Sequence, residues 1–274
     1  MYYAIAKKIK YNISMKKDFL EKGFTQILKV NFKNELLDLQ KLIYENTKDL
    51  LINHDNNLNI EDKLLLPFSE EASDSFWSKL MYTINGSDEL KSVVQSESVK
   101  KTFLNILDNP ILFDVCPFRA RLAMKKKNIY GWHQDEATWF LSTKTNIKNK
   151  FPPVLWLSIN GSNKNNSIQL VKYSHLKKIY HHTMVNGQGY FNIKNPDEFL
   201  KSDNIYTVET KPSEGIIFHP GTVHRSVVPN VNTKLIPRYS VDIRYYDNDF
   251  KPRMSVDISL RFRKLINIVS GQKW

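Results

Sequence analysis

Between residues 118 and 246 the chain is divided into six short extended segments, each alternating in polarity or rich in β-branched and aromatic residues. Loops rich in Asn, Gly, Ser and Lys separate these segments. A succession of short strands with polar turns favours an antiparallel sandwich or barrel. The segments are FRARLAMK (118–125), VLWLSIN (154–160), SIQLVKY (167–173), IYTVETK (205–211), GIIFHPG (215–221) and RYSVDIRYY (238–246).

The N-terminal part of the chain carries a different pattern, with apolar residues at helical spacing. The longest helical candidate is residues 33–52, and shorter ones are residues 75–84 and 99–108. Pro110 and Pro117 mark the change to the extended segments. Helices followed by strands predict a mostly β fold with a helical layer packed on it.

No linker long or plain enough to separate two domains is present, so we expect a single domain. The contents of 41% hydrophobic and 12% aromatic residues are those of a globular protein. We expect the single domain to cover residues 1–274, with a mainly helical part (1–115), a β core (116–250) and a C-terminal extension (251–274).

Apolar runs are short throughout the chain, and none reaches the roughly 18 residues of a membrane span. The lysine-rich N-terminus does not fit a signal peptide. Cys116 is the single cysteine, which excludes an internal disulfide and indicates a reducing, cytoplasmic setting.

The formal net charge of +12 has two interpretations. A basic surface can indicate an anionic or nucleic-acid partner. The excess is mostly lysine, however, spread along a chain that is also rich in asparagine, as a general compositional bias would produce.

The stretch YGWHQDEATWFL (130–141) places His133 and Asp135 two residues apart in what reads as β-structure. In a strand, residues i and i+2 share a face, so an imidazole nitrogen and a carboxylate oxygen can reach one point. Gln134 and Glu136 would then point to the opposite face. Alone, the pair fits equally a surface histidine beside an aspartate.

A second histidine follows a hydrophobic strand and a Pro-Gly turn in GIIFHPGTVHRSVVPN (215–230). His224 comes after the turn and is the preferred third ligand, while His219 at the end of the apolar strand is its rival. Two histidines and one carboxylate, with positions left open, form the facial ligand set of non-haem Fe(II) oxygenases. Cys116 shares no obvious face with them, which argues against a zinc–thiolate site.

The segment RYSVDIRYY has a polar face and a largely apolar face if it is a strand. The polar face is either solvated or turned to the interior. In the interior Arg238 would need a partner, because a buried unpaired charge is unfavourable. A dicarboxylate cosubstrate would supply one, since arginine can grip a carboxylate with two parallel hydrogen bonds and Ser240 can add a third. The polar face consists of Arg238, Ser240, Asp242 and Arg244.

Together, His133-x-Asp135, His224 and Arg238-x-Ser240 resemble the Fe(II)/2-oxoglutarate-dependent dioxygenases. WHQDEATWF and VLWLSINGSNKNNSIQLVKYSH (154–175) resemble the phytanoyl-CoA dioxygenase-like branch of that superfamily. The resemblance implies a double-stranded β-helix core, a jelly roll of the cupin type, with N-terminal and flanking helices. It also implies that His133, Asp135 and His224 bind Fe(II). By the same resemblance Arg238 binds the distal carboxylate of 2-oxoglutarate, assisted by Ser240 or Ser226.

The activity implied by the resemblance is hydroxylation of an unactivated C–H bond in a small-molecule metabolite, with O2 and 2-oxoglutarate as cosubstrates and release of succinate and CO2. Asp135 favours hydroxylation or another oxidation over halogenation, because related halogenases lack this carboxylate. Two alternatives remain: an oxygenase of the same superfamily that acts on a nucleic acid or a protein, and an inactive jelly-roll binding protein.

Trp132, Trp139 and Arg121 are candidates for the substrate pocket. Trp132 and Trp139 flank the metal motif, although aromatic side chains in such positions more often pack in the core. Arg119 and Arg121 share a strand face, where they would pair with carboxylates of a substrate or with acids of the protein. The histidine pair at residues 181–182 lies in a loop-like stretch and is expected to be solvent-exposed.

Overall fold

In the computed structural model the described residues are 14–52, 57–70, 72–113, 115–122, 130–137, 152–184, 191–198, 200, 202–228 and 236–247. The helices are α1 (residues 14–22), α2 (Glu35–Thr47), α3 (Ile60–Lys63), α4 (Asp74–Asn85), α5 (Asp88–Gln95) and α6 (Glu97–Phe103). The strands are β1 (Leu28–Lys29), β2 (Ile111–Leu112), β3 (Phe118–Leu122), β4 (Val154–Ser158), β5 (Ile168–Val171), β6 (His182–Met184), β7 (Phe191–Ile193), β8 (Ile205–Thr207), β9 (Glu214–Phe218), β10 (His224–Ser226) and β11 (Pro237–Tyr246).

The helices form a layer built from the N-terminal part of the chain. Ser73, Ser87 and Ser96 begin α4, α5 and α6, and each side chain accepts a hydrogen bond from a backbone N–H three residues later. The apolar stripe of α2 is buried in the same core cluster as residues of α4 to α6. The predicted helices at 33–52, 75–84 and 99–108 correspond to α2, α4 and α6, with ends that differ by a few residues.

The main sheet is antiparallel and has the order β1-β9-β4-β11-β2, with β3 also paired to β11. One face packs on the helices, and its contribution from β11 is Tyr239, Val241, Ile243 and Tyr245. The other face packs Trp156 and Ile216 against Leu170 of a second antiparallel sheet. Because β1 and β2 come from the N-terminal part, the helical region also supplies strands to the core.

The second sheet has the order β10-β5-β8, and β6 and β7 form a separate antiparallel pair. All six predicted extended segments correspond to strands, namely β3, β4, β5, β8, β9 and β11. Among the residues described, no helix has both the length and the apolarity required to cross a bilayer.

Candidate metal centre

The backbone itself brings two of the candidate ligands together. The N–H of His133 donates to the carbonyl oxygen of His224 at 2.9 Å, and the N–H of His224 donates back at 2.9 Å. This isolated antiparallel bridge sets the two residues directly opposite each other, where side chains share a face. As a result, the imidazole ring centroids lie 4.1 Å apart.

Both imidazoles are held in one orientation by a backbone carbonyl two residues earlier in the chain. Nδ1 of His133 lies 2.8 Å from the oxygen of Gly131, and Nδ1 of His224 lies 2.9 Å from that of Thr222. A carbonyl oxygen only accepts, so Nδ1 carries the proton and Nε2 keeps its lone pair. Each Nε2 lies 3.8 Å from Oδ1 of Asp135.

Asp135 reaches this point by a route that the sequence analysis did not anticipate. Within the described part of the motif only His133 pairs with another extended segment, and residues 135–137 are helical. The expectation that His133 and Asp135 share the face of a strand was therefore wrong. The chain turns after the bridge instead, and the ligand atoms of His133, Asp135 and His224 all lie within 4.8 Å of one another.

The Asp135 carboxylate is also held from its other side. Nη2 of Arg244 on β11 donates to Oδ2 at 2.9 Å, and the two side chains are only 7% and 15% exposed. Because this contact uses the oxygen that is remote from the histidines, the guanidinium orients Oδ1 towards them. Burial acts to raise the pKa of Asp135, but the charges of Arg244 and the two histidines outweigh it and lower that pKa to about 2.

The protonation state of His133 suits a metal ligand. Burial, together with the positive charge that His224 would carry, lowers the pKa of His133 to about 3. At neutral pH this imidazole is uncharged, which is the form that coordinates a metal. A neutral nitrogen ligand beside an ionised carboxylate is a donor set that fits Fe(II) and similar divalent ions.

Arg238 lies on the same face of β11 as Arg244 and is only 3% exposed. Its Nη1 donates to the carbonyl oxygens of Asn166 at 3.0 Å and Ser167 at 3.1 Å, while Nε has no hydrogen-bond partner. No carboxylate in the described ranges forms an ion pair with it. Burial, reinforced by the nearby charge of Arg121, lowers the pKa of Arg238 to about 9.

Buried hydroxyl groups lie close to Arg238. Ser240 on β11 and Ser158 on β4 are direct cross-strand neighbours, both are fully buried, and neither Oγ has a hydrogen-bond partner within the described residues. Ser226 is nearby, because the N–H of the next residue donates at 2.8 Å to the Ser167 carbonyl that also accepts from Arg238. A buried arginine and buried hydroxyl donors without acceptors form a site that fits a carboxylate.

His219, the rival third ligand, lies outside this cluster. Its Nδ1 accepts a hydrogen bond from the N–H of Gly221 at 3.0 Å, and its ring lies 5.3 Å from that of His175 and 5.8 Å from that of Phe19. Burial and the neighbouring His175 lower its pKa to about 4. These contacts give His219 a packing role in the turn before β10.

A network behind the ligands was missed by the sequence analysis, which expected residues 181–182 to be exposed. His181 is exposed, but His182 is only 8% exposed and its Nε2 accepts from the N–H of Gln134 at 3.0 Å. The Gln134 amide donates to the Gly221 carbonyl at 2.8 Å and accepts from the N–H of Tyr180 at 2.9 Å. Gln134 thereby ties the ligand segment to two other loops.

The substrate-pocket candidates have separate outcomes. Trp132 packs in a small apolar cluster with Val171, Ile193 and Val223, and the Arg225 guanidinium carbon lies 4.4 Å from its ring centroid. Trp139 lies outside the described residues. Arg121 lies opposite Arg238 across the β3–β11 pair, so both lie on the face of the main sheet that is turned towards the second sheet, the inner face.

The sequence profile of the family described as Phytanoyl-CoA dioxygenase (PhyH) matches residues 37–237, well over half of the chain. No curated protein matches the chain.

Several solved structures share the fold at low identity. The non-heme monooxygenase ThoJ in its apo form has a TM-score of 0.60 and 12% identity over 94% of this chain and 100% of its own. EctD from S. alaskensis in its apoform has a TM-score of 0.56 and 14% identity, over 86% of this chain and 77% of its own. The epimerase SnoN, in complex with Fe3+, alpha ketoglutarate and nogalamycin RO, has a TM-score of 0.54 and 13% identity, over 87% and 84%. The predicted jelly-roll fold is confirmed.

Proposed function

Because this chain belongs to the phytanoyl-CoA dioxygenase family, we propose that it is an Fe(II)- and 2-oxoglutarate-dependent oxygenase acting on a small molecule. The observation that carries the proposal is the convergence of two imidazole Nε2 atoms and a carboxylate oxygen, all within 4.8 Å, on the inner face of a jelly roll. Arg238, a buried arginine that forms no ion pair with a carboxylate of the described residues, lies on the same face.

In this proposal His133, Asp135 and His224 hold the iron, and Arg244 keeps the Asp135 carboxylate turned towards it. The bridge between His133 and His224 and the two Nδ1 contacts use only protein groups and fix the orientation of both imidazoles. Such preorganisation lowers the entropy that metal binding would otherwise lose. Iron with 2-oxoglutarate and dioxygen supplies the oxidation of an unactivated C–H bond, with release of succinate and CO2.

Arg238 would bind the distal carboxylate of 2-oxoglutarate. Its buried charge then gains the counter-charge that the described part of the chain does not provide, and Ser240 or Ser226 can donate a further hydrogen bond. The burial of Arg238 and Ser240 would also exclude water from the carboxylate that they bind.

We propose hydroxylation as the reaction. The Asp135 carboxylate occupies a ligand position that related halogenases leave for a halide, so the ligand set favours oxidation over halogenation. Structural neighbours of similar fold are described as a monooxygenase, an epimerase and a carbocyclase, which makes the outcome of the oxidation a property of the substrate pocket. Action on a nucleic acid and an inactive binding role gain no support from any described contact.

Anaerobic addition of Fe(II) and 2-oxoglutarate to the purified protein tests the proposal. We expect a weak visible charge-transfer band that is absent from His133→Ala. His181→Ala is the matched control, because His181 is exposed and should keep the band. A wild-type protein that stays colourless would contradict the proposal.

Substrate-stimulated succinate release, measured with a panel of small metabolites, then tests the reaction. We expect a product one oxygen atom heavier than its substrate. A product with the same oxygen content as its substrate would mean that the reaction is another oxidation and not hydroxylation. The assignment of iron and 2-oxoglutarate would still stand.

A further inference from the structure

Three histidines around the candidate metal centre present Nε2 by the same device. In His133, His224 and His182, Nδ1 lies 2.8 Å, 2.9 Å and 2.7 Å from the backbone carbonyl oxygen two residues earlier. A carbonyl oxygen only accepts, so each Nδ1 carries the proton and each Nε2 keeps its lone pair. Two of these Nε2 atoms, those of His133 and His224, lie 3.8 Å from Oδ1 of Asp135. The third, that of His182, has a different partner.

The Nε2 atom of His182 holds the residue that separates two of the candidate ligands. It accepts a hydrogen bond from the N–H of Gln134 at 3.0 Å, and Gln134 lies between His133 and Asp135 in the chain. His182 is only 8% exposed, so its lone pair is committed to a buried amide and not to a metal ion. A buried N–H needs an acceptor, and here a side chain 48 positions away in the sequence supplies it.

The peptide between His133 and Gln134 is held at both of its polar ends. Its carbonyl oxygen, which belongs to His133, accepts from the N–H of His224 at 2.9 Å, and its N–H donates to His182. Because a peptide is planar, two such contacts fix the tilt of the whole unit. Without His182 only the carbonyl end would be held. A tilt of this plane would swing the chain that follows it and move the Asp135 carboxylate relative to both imidazoles.

His182 belongs to a hairpin that is docked on the metal-binding segment, residues 132–135. Strands β6 and β7 pair with each other, and the N–H of Ile193 on β7 donates to the Trp132 carbonyl oxygen at 2.8 Å. The side chains of Ile193 and Trp132 also pack in one apolar cluster. These contacts hold the hairpin, and with it the His182 ring, against the metal-binding segment.

We propose that His182 is a positioning residue of the metal centre, which orients the peptide between the two ligands of the HQD motif through the Gln134 N–H. The inference rests on the proposed function and adds to its metal site a histidine that is not itself a ligand. Outer partners that orient metal ligands typically contribute about 10- to 100-fold to metal affinity. We expect an effect in this range, because displacement of Asp135 separates its carboxylate from the point that both imidazoles reach.

Two substitutions that mimic parts of the ring separate the Nε2 contact from the rest of His182. The glutamine amide reaches the position of Nε2, so His182→Gln keeps an acceptor for the Gln134 N–H. The asparagine amide reaches only the position of Nδ1, so His182→Asn keeps the contact with the Tyr180 carbonyl and loses the one with Gln134. His181→Asn is the matched control, because it makes the same change at the neighbouring residue, which is exposed.

Co(II) titration of the metal-free, full-length proteins is the measurement, since the visible absorption of Co(II) reports ligand geometry as well as affinity. We expect His182→Asn to bind Co(II) about tenfold or more weakly than the wild type, with a shifted visible spectrum. His182→Gln and His181→Asn should bind within about threefold of the wild type. A purely structural role of His182 would lower the urea midpoint of His182→Asn and leave the Co(II) affinity and spectrum of the folded protein unchanged.

Hydrogen exchange of the wild type tests the same coupling if His182→Asn does not fold. Coupling free energies are reciprocal, so a hydrogen bond that strengthens metal binding is itself strengthened by the metal. Co(II) should therefore slow amide exchange in β6 and β7 by a larger factor than in helix α5, which belongs to the helical layer.

Three results would overturn the proposal: wild-type Co(II) affinity and spectrum in His182→Asn, an equal loss of affinity in His182→Gln, or hairpin exchange that Co(II) slows no more than that of α5. Failure of the proposed function has a different signature, since the wild type would bind Co(II) but give no charge-transfer band with Fe(II) and 2-oxoglutarate. A wild type that binds no Co(II) would overturn both.

Discussion

Arg238→Met separates the contribution of this arginine to stability from its contribution to cosubstrate binding. Methionine fills a similar volume without charge. In the wild type the guanidinium is buried, donates to two backbone carbonyls and forms no ion pair with a described carboxylate. The substitution therefore removes an unfavourable buried charge together with two hydrogen bonds.

The two effects on folding oppose each other. The pKa of Arg238 is lowered to about 9, largely by burial. Its surroundings therefore disfavour the charged form by roughly 5 kcal/mol. Two carbonyl oxygens that lose their donor cost about 1–3 kcal/mol each. We therefore expect the change in the free energy of unfolding of the metal-free protein to lie between a gain of about 3 kcal/mol and a loss of about 1 kcal/mol.

Arg244→Met is the matched contrast, on the same face of the same strand. It leaves the Asp135 carboxylate buried without its 2.9 Å partner. Removal of one member of a buried ion pair typically lowers the free energy of unfolding by about 3–5 kcal/mol. Urea denaturation of the two metal-free variants should thus give clearly different midpoints.

Arg238→Met should change the affinity for 2-oxoglutarate much more than it changes stability. A bidentate pair of charged hydrogen bonds between Arg238 and a carboxylate contributes about 3–4 kcal/mol, so its loss raises the Kd for 2-oxoglutarate roughly 100- to 1,000-fold. Titration of the anaerobic charge-transfer band measures this Kd. Wild-type affinity in Arg238→Met, or a loss of stability equal to that of Arg244→Met, would refute the reasoning.

Three further variants test the surroundings of the site. Gln134→Leu removes the hydrogen bonds that the Gln134 amide makes with the Gly221 carbonyl and the Tyr180 N–H, so urea denaturation should show a free energy of unfolding lower by about 2–4 kcal/mol. An unchanged midpoint would mean that water replaces the amide. His219 is neutral in the folded state because burial lowers its pKa to about 4, while the unfolded chain takes up a proton as the pH falls through about 6.5. The wild type should therefore lose up to roughly 3 kcal/mol between pH 6.5 and 4 that His219→Gln retains, and parallel stability curves would contradict this. Gly215→Ala puts a Cβ 2.5 Å from the Trp156 carbonyl oxygen, which should force β4 and β9 apart. Thermal or urea denaturation should show a free energy of unfolding lower by about 1–3 kcal/mol. A wild-type midpoint would show that the strands adjust freely.

Local pattern was sufficient for six of the strands described, because their signal lies in neighbouring residues. Alternation and β-branched content identified β4, β9 and β11 in advance. The two-residue strands β1 and β2 give no such signal, and α5 is too short and too rich in polar residues to stand out.

The candidate site was predicted in its residue types but not in its geometry. His133, Asp135 and His224 do converge, yet through a backbone bridge and a helical turn instead of one strand face. Arg244 meets Asp135 across 109 positions of sequence, and His182 meets Gln134 across 48. Contacts at such separations depend on tertiary packing, which the pattern of one segment does not contain.

The two-sided character of β11 has a consequence for laboratory evolution. One side chain in two holds the helical layer, and the alternate ones carry Arg238 and Arg244. A single inserted or deleted residue between these arginines would reverse the facing of the strand on one side of the change, so it would expose core residues of that part and withdraw one of the two guanidinium groups. Libraries that aim at a new substrate should therefore keep the length of β11 fixed.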